Sequence, residues 1–337
     1  MSRNYDDDLP TDYYLQFAQR AGCLGTDDGS SSDSAAVFKC LQKADSTVLQ
    51  KASCDTSLNA KPGNWAFIPV TDGNLIRNLP SKQLLAGKVN GERMIVGNNA
   101  NEGTFLVPQN IATAKAFQDY IKLSYPLVTP ENMTSILALY NISESALPAT
   151  KFDTDGLRPP YATSVSGFVK GWQQAANNLY SEAVLNCQAN WLADAYAMKS
   201  NSSSWRYQFS IPNAFHGQDL APLMSDPATS ADSKMDATFR RGFQSIWGQF
   251  VLTGNPTLSE QVIAGSGAGR SGIAAAGGGS WSAWGEKQKF DMLNLNVTGS
   301  GTAQVRAQWN VVDARSWEGG RGARCDLWVK LGSVIQG

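Results

Sequence analysis

The chain has 337 residues, of which 17% are charged, and a formal net charge of −1 at neutral pH. That length suits one large domain or two small ones, and ten tryptophans supply ample core material. The near-neutral balance offers no basic face for nucleic acid and no cationic surface for anionic lipid, and no apolar run approaches the length of a membrane span.

Residues 1–60 read as mostly helical: Tyr13, Phe17 and Ala21 share one face, and Val37, Leu41, Ala44 and Val48 form another. Met1 to Asp8 carries no apolar h-region, so no secretory leader is expected in the chain as written. Residues 61–92 read as a loop-rich bridge with turns at Pro62-Gly63, Asp72-Gly73 and Leu79-Pro80, and with Trp65, Phe67 and Ile68 as core anchors. A short buried strand, Met94 to Val96, follows. Helices are expected from about Thr113 to Leu123 and from Thr129-Pro130-Glu131, where Thr caps and Pro fits the first helical position. Trp172 to Met198 is helix-compatible and leads to a β-rich run, Trp205 to Ile211. Phe239, Phe243, Ile246, Trp247 and Phe250 then lie on one helical face, which reads as core, with Gly254 and Pro256 as a stop signal. Residues 264–280 are low-complexity Gly/Ala/Ser. With no Lys-Ser/Thr and no preceding strand they read as a flexible loop, not a phosphate cradle. Gln288 to Val297 alternates like a final strand, and Trp309 to Trp328 closes the chain as an aromatic, Arg-rich segment packed on the rest.

Two strand-end loops carry the candidate chemistry. Gly97-Asn-Asn-Ala-Asn-Glu-Gly103 presents Glu102 after the Met94 strand, and Asn213-Ala-Phe-His-Gly-Gln-Asp-Leu220 presents His216, the sole histidine, after the Trp205 strand. α/β sheets place catalytic groups at such carboxyl edges, and Gly97 and Gly103 are expected to let the backbone turn sharply. Two readings of Glu102 compete: a solvated surface carboxylate, or one aimed at an imidazole. The order acid then histidine is that of the Ser, Asp/Glu, His triad. Asp219, three residues past His216, is a rival acid whose local reading is a turn-stabilising side chain, and Asp72, in a turn, is a weaker rival.

These two loops resemble the acid and histidine motifs of type-B carboxylesterases, a family that includes fungal lipases and cholinesterases. Asp12 to Cys23, Phe67 to Gly73, Phe250 to Pro256 and Ser316-Trp-Glu-Gly-Gly-Arg321 fit the same pattern, closest to the fungal branch. The resemblance implies an α/β-hydrolase fold with many helices and an incomplete, mostly parallel sheet. It implies acyl transfer with catalytic residues Glu102 and His216, an apolar ester as substrate, and no metal or organic cofactor. Secretion is the family expectation; the chain as written leaves localisation intracellular or open.

The family's Gly-rich oxyanion loop and Gly-x-Ser-x-Gly elbow are not found. Gly265-Ser-Gly267, Gly269-Arg-Ser-Gly272 and Gly299-Ser-Gly301 all have the wrong spacing. Residues 1–337 are therefore expected to be the C-terminal part of a carboxylesterase type-B domain, inactive alone and prone to associate through an exposed sheet edge. A non-catalytic, cholinesterase-like binding protein and one half of a split esterase are the alternatives. Cys23, Cys40, Cys54, Cys187 and Cys325 include no Cys-x-x-Cys pair and so no zinc-like spacing. Cys23 and Cys40 bracket a polar loop that either a disulfide or two buried thiols would suit, and the resemblance supports the disulfide. Sequons at Asn132, Asn141, Asn201 and Asn296 permit glycosylation in a secreted parent.

Overall fold

A computed structural model of the chain describes residues 3–24, 34–61, 65–142, 156–225, 235, 237–259, 281–298 and 306–332. The 264–280 stretch and the three Gly-Ser neighbourhoods lie outside the described residues. The chain divides into two compact units, Met1–Pro80 with Ile121–Val128, and Ser81–Tyr120 with Thr129–Gly332.

In the first unit, β1 (Arg3–Asn4) runs parallel to β2 (Val70–Thr71). Between them come α1 (Asp8–Arg20), α2 (Ser34–Lys43) and α3 (Ser46–Leu58). Asp8 in the first turn of α1 and Arg20 in its last complement the helix dipole. Ala18, Val37 and Leu41 form a buried cluster with Phe17 and Leu49 against it. A Cys23–Cys40 disulfide ties the end of α1 to α2. Two expectations are corrected here. The face Val37, Leu41, Ala44, Val48 is broken, because α2 stops at Lys43 and Asp45 caps a new helix by accepting from Thr47 N at 2.7 Å. Val48 is 42% exposed on that new helix. Nor are Trp65 and Phe67 core anchors: Ala66 takes the buried position between them, leaving them 71% and 47% exposed. The edge of Phe67 rests on Phe17, with ring centroids 5.3 Å apart. The 61–92 bridge also contains a short helix, α4 (Pro80–Leu85), which belongs to the second unit from Ser81 onward and is too brief to show a period in the sequence.

The second unit is built on a four-stranded sheet in the order β3 (Arg93–Asn99), β4 (Ser203–Phe209), β5 (Asp291–Thr298), β6 (Arg306–Asp313). The first three are parallel and β6 is antiparallel to β5. The strand expected to be last is thus followed by another, within the segment read only as aromatic and Arg-rich. The helices expected from Thr113 and Thr129 are α5 (Ala114–Ser124) and α6 (Pro130–Leu139), the latter capped by the Thr129 hydroxyl on Asn132 N. α7 (Trp172–Ser181) passes through a π-helical turn, Glu182–Asn186, into α8 (Cys187–Met198). Among the described residues, α9 (Leu220–Met224), α10 (Ala237–Thr253) and α11 (Trp317–Lys330) follow.

Strand β4 shows why both faces of the sheet are covered. Trp205, Tyr207 and Phe209 project to one side, where Phe239, Phe243 and Ile246 of α10 and Leu293 and Leu295 of β5 close an apolar core. Ser204, Arg206 and Gln208 project to the other and are fully buried. The Ser204 hydroxyl donates to Ala193 O at 2.9 Å, Arg206 Nε to Asn190 Oδ1 at 2.9 Å, and Arg206 Nη2 to Asn98 Oδ1 at 2.8 Å. Parallel strands are ordinarily buried on both faces; here one of those faces is polar. Burial, then the like charge of Arg321, pull the Arg206 guanidinium down to about 9, which leaves it charged at neutral pH.

That polar face converges on Glu182, whose side chain has no solvent exposure. Arg324 grips it from two nitrogens, at 2.7 and 2.8 Å, Arg321 Nε lies 3.4 Å away, and the Tyr140 hydroxyl donates to it at 2.7 Å. Trp328 Nε1 in turn donates to the Tyr140 oxygen at 2.8 Å. A second disulfide, Cys187–Cys325, joins the start of α8 to α11 beside this cluster. Removing one member of a buried ion pair leaves the other charge uncompensated, at a cost of about 3–5 kcal/mol. Glu182→Gln is therefore expected to lose about that much stability, read by denaturant titration. Burial pushes the Glu182 carboxyl up, but Arg324 and Arg321 prevail and hold it below the usual carboxylate range. A lowered native value means stability that is present above the unfolded carboxyl's titration and lost as pH falls through the native one. The wild type should thus lose stability across that acid window, and E182Q should show a flatter profile there.

Candidate active site

Beyond their last residues, β3 and β4 remain stapled together. Ala100 N donates to Phe209 O at 3.0 Å, Asn101 N to Ala214 O at 2.9 Å, and Asn101 Nδ2 to Asn213 O at 2.7 Å. An isolated parallel bridge pairs Asn101 with Phe215. The residues following each half of this staple are Glu102 and His216, so sheet register brings the two loops to one place.

Gly97 lies inside β3 and Gly103 in a turn, but neither has a positive φ, so what requires glycine at both is close packing. A Cβ on Gly97 would stand 2.1 Å from the Tyr207 ring, and one on Gly103 would stand 2.2 Å from Asn177 O. Gly103 N donates to the Ser181 hydroxyl at 2.8 Å, pinning the acid loop to α7. These contacts seat Glu102 at 4% exposure. Its Oε1 accepts from Asn99 N at 2.6 Å, and its Oε2 lies 2.6 Å from His216 Nδ1. The imidazole itself is open, with 57% of the side chain exposed. Phe215, just before it, is held between Phe105 and Phe168 at centroid distances of 4.5 and 4.6 Å.

The electrostatics follow from this seating. Burial raises the Glu102 carboxyl above its ordinary value; the Asn99 N–H and His216 oppose the shift, and Asp219 adds to it. When Glu102 is ionised it accepts the Nδ1 proton, which leaves Nε2 of a neutral imidazole as an acceptor directed away from the acid.

The structure brings Glu102 and His216 together and keeps the rival acids apart from the imidazole. Asp72 stays within its own turn, accepting from Asn74 N at 3.0 Å and Ile76 N at 2.9 Å. Asp219 does not brace a local turn. Its oxygens accept from Asn99 Nδ2 at 3.0 Å and from the Tyr207 hydroxyl at 3.2 Å. Sequence reasoning gave Asn99 and Tyr207 no role; the available signal was that Asn99 ends β3 and that Tyr207 stands two residues before the end of the neighbouring β4. Among the described residues no serine or threonine hydroxyl bonds His216, and no cluster of ligand-type side chains could hold a metal ion. No described helix is long and apolar enough to cross a membrane.

A sequence model described as the carboxylesterase family matches residues 2–308. The chain belongs to the carboxylesterase family. Its α/β-hydrolase fold is matched by a solved structure, EstA of Aspergillus niger, with a TM-score of 0.67 at 20% identity over 100% of this chain and 57% of that one. Secreted lipase 4 of Gibberella zeae is 24% identical over 76% of this carboxylesterase-family chain and 44% of its own length. An inactive carboxylesterase-like protein, VdtD of Byssochlamys spectabilis, is 25% identical over 59% of the chain and 32% of its own length. The chain thus spans less than half the length of these two curated relatives.

The raised Glu102 carboxyl has a stability consequence. A native value above the unfolded one means the native state holds more protons in that window, so stability falls as pH rises through it. In Glu102→Gln the amide can still accept from Asn99 N and donate to His216 without a buried charge. The variant is expected to melt no lower than wild type at neutral pH, with the wild type losing ground to it from acid to neutral, by thermal melts across pH.

Proposed function

We propose that this chain supplies the acid and the base of a carboxylic ester hydrolase that works by acyl transfer. The observation that carries the reading is the 2.6 Å contact between Glu102 Oε2 and His216 Nδ1, with the rest of the imidazole open. In this reading His216 Nε2 takes the proton of an attacking serine hydroxyl and later hands it to the departing alcohol. Glu102 fixes the tautomer and stabilises the imidazolium, remaining ionised throughout. The serine, in a Gly-x-Ser-x-Gly elbow with N–H groups for the oxyanion, comes from a segment outside these 337 residues. The chain would then be the C-terminal part of a type-B carboxylesterase domain. The edge of β3 away from β4 has no partner strand among the described residues, and it offers the place where the rest of the sheet would add. Phe105, 71% exposed beside Phe215, gives an apolar acyl ester a surface near the imidazole. The disulfides Cys23–Cys40 and Cys187–Cys325 fit a secreted protein folded in an oxidising compartment.

A second reading is a non-catalytic relative that binds a partner. It is favoured by the relative named as inactive and by the lack of a described hydroxyl on His216.

Hydrolysis of a short-chain p-nitrophenyl ester separates the two. The 337-residue chain alone is expected to show no turnover at enzyme rates, since loss of the nucleophile from a serine triad of the subtilisin kind costs about a factor of a million. Adding the nucleophile-bearing half is expected to restore turnover, which His216→Ala should cut by about ten thousandfold or more and a serine-directed organophosphate should abolish. Restored assembly without turnover would support the binding reading. Turnover by the isolated chain, lost with both treatments, would place the nucleophile among its own serines.

A further inference from the structure

Asn99 ends β3 with its side-chain amide between two acids. Nδ2 donates to Asp219 Oδ1 at 3.0 Å and faces Glu102 Oε1 at 3.4 Å. Its Oδ1 is buried and has no partner. The amide is therefore oriented by its NH2 group alone: turned over, it would set an oxygen against two carboxylate oxygens. The second oxygen of Asp219 accepts from the Tyr207 hydroxyl at 3.2 Å. Burial, then Asp219, drive that phenol well above its ordinary range, so it remains a donor at every working pH. Asp219 is half-buried and three residues from His216, yet its hydrogen bonds go to Asn99 and Tyr207 and none to the imidazole.

We propose that Asp219 is a second carboxylate of the site, a positioning residue that acts through the Asn99 amide to hold Glu102 against His216. The inference rests on the reading of Glu102 and His216 as acid and base. Its physics is simple. The shared NH2 fixes Glu102 Oε1, which aims Oε2 at Nδ1. Two carboxylates bridged by one amide also repel, and protonating His216 relieves that repulsion. The groups acting on Glu102 are His216 and Asp219. Those acting on Tyr207 are Asp219, Arg206 and Glu102. The α7 residues packed against the loop, Asn177 and Ser181, carry no charge.

Because His216 is the only histidine, its titration can be read without assignment. The test is the pH profile of carbethoxylation of that imidazole by diethyl pyrocarbonate, followed by ultraviolet absorbance, on the whole chain. Asp219→Asn keeps both bonds, since its oxygen still accepts from Asn99 and its amide donates to the Tyr207 oxygen. It is expected to lower the profile's midpoint by about half a pH unit, a roughly threefold weaker proton affinity, and Glu102→Gln to lower it further. In the Glu102→Gln background Asp219→Asn should add little. Asn99→Ser, which cuts the bridge but leaves the Asp219 charge, should also lower the midpoint and stands as the second variant, with tryptophan fluorescence as the check on folding. A shift with Glu102→Gln but none with Asp219→Asn or Asn99→Ser overturns the inference and leaves the acid–base reading intact. No shift with any variant overturns both. An equal Asp219→Asn shift with and without Glu102 overturns the route through Asn99, because the acid would then act directly through space.

Discussion

A carboxylate with no access to water, Glu182, is the constraint on which the second unit depends. It draws Arg324, Arg321 and Tyr140 inward, and the bonds continue outward from Arg321. Arg321 Nη1 donates to Gln208 Oε1 at 2.7 Å, and Asn98 Nδ2 reaches the same oxygen at 3.3 Å and Asn99 O at 2.9 Å. Asn99 N then holds Glu102, and Glu102 holds His216. A line of bonded groups thus runs from Trp328 on α11, beneath the sheet, to the open imidazole. Such networks are worth more satisfied than pairwise bonds suggest, and cost more when half-satisfied. The strand ends that carry Glu102 and His216 therefore rest on a buried, hydrogen-bonded layer.

The two faces of β4 divide this labour. Tyr207 packs on Phe243 and Trp247 on the aromatic side while its hydroxyl reaches Asp219 at the strand's mouth. Arg206 and Gln208 carry the polar side. One face contributes apolar contact, and the other contributes directional bonds that tie the strand to the Glu182 cluster. Glu102 holds its position at the expense of solvation, and burial is the main reason its carboxyl is raised.

Much of this was legible in the sequence where one residue type has one use. The Thr129-Pro130 cap, the Phe239 to Phe250 stripe and the two loops bearing Glu102 and His216 all announce local geometry, and local geometry is what periodicity and turn chemistry encode. What escaped depends on partners distant in sequence. Ser204, Arg206 and Gln208 alternate with aromatics as a solvent-facing set would, and only the arrival of Asn98, Asn190 and Arg321 makes them interior. Trp65 and Phe67 misled for the converse reason: large apolar side chains do not by themselves choose the inward side of an irregular segment. Asp219 looked like a turn residue because its partners lie outside its own turn: Asn99 is 120 residues away on β3, and Tyr207 is 12 residues back, inside β4.

The Cys187–Cys325 bond makes a covalent ring of the chain between those residues, 138 apart, and the chain-entropy model assigns such a closure about 5 kcal/mol. His216, β4, β5, β6 and the 264–280 stretch all lie inside that ring; Glu102 and β3 lie outside it. A protease cut anywhere in the ring would therefore open the backbone without releasing a fragment. The severed pieces would travel as one species until a reductant reached the disulfide. The acid and the histidine, by contrast, share no such closed circuit, so their meeting depends on hydrogen bonds and packing alone.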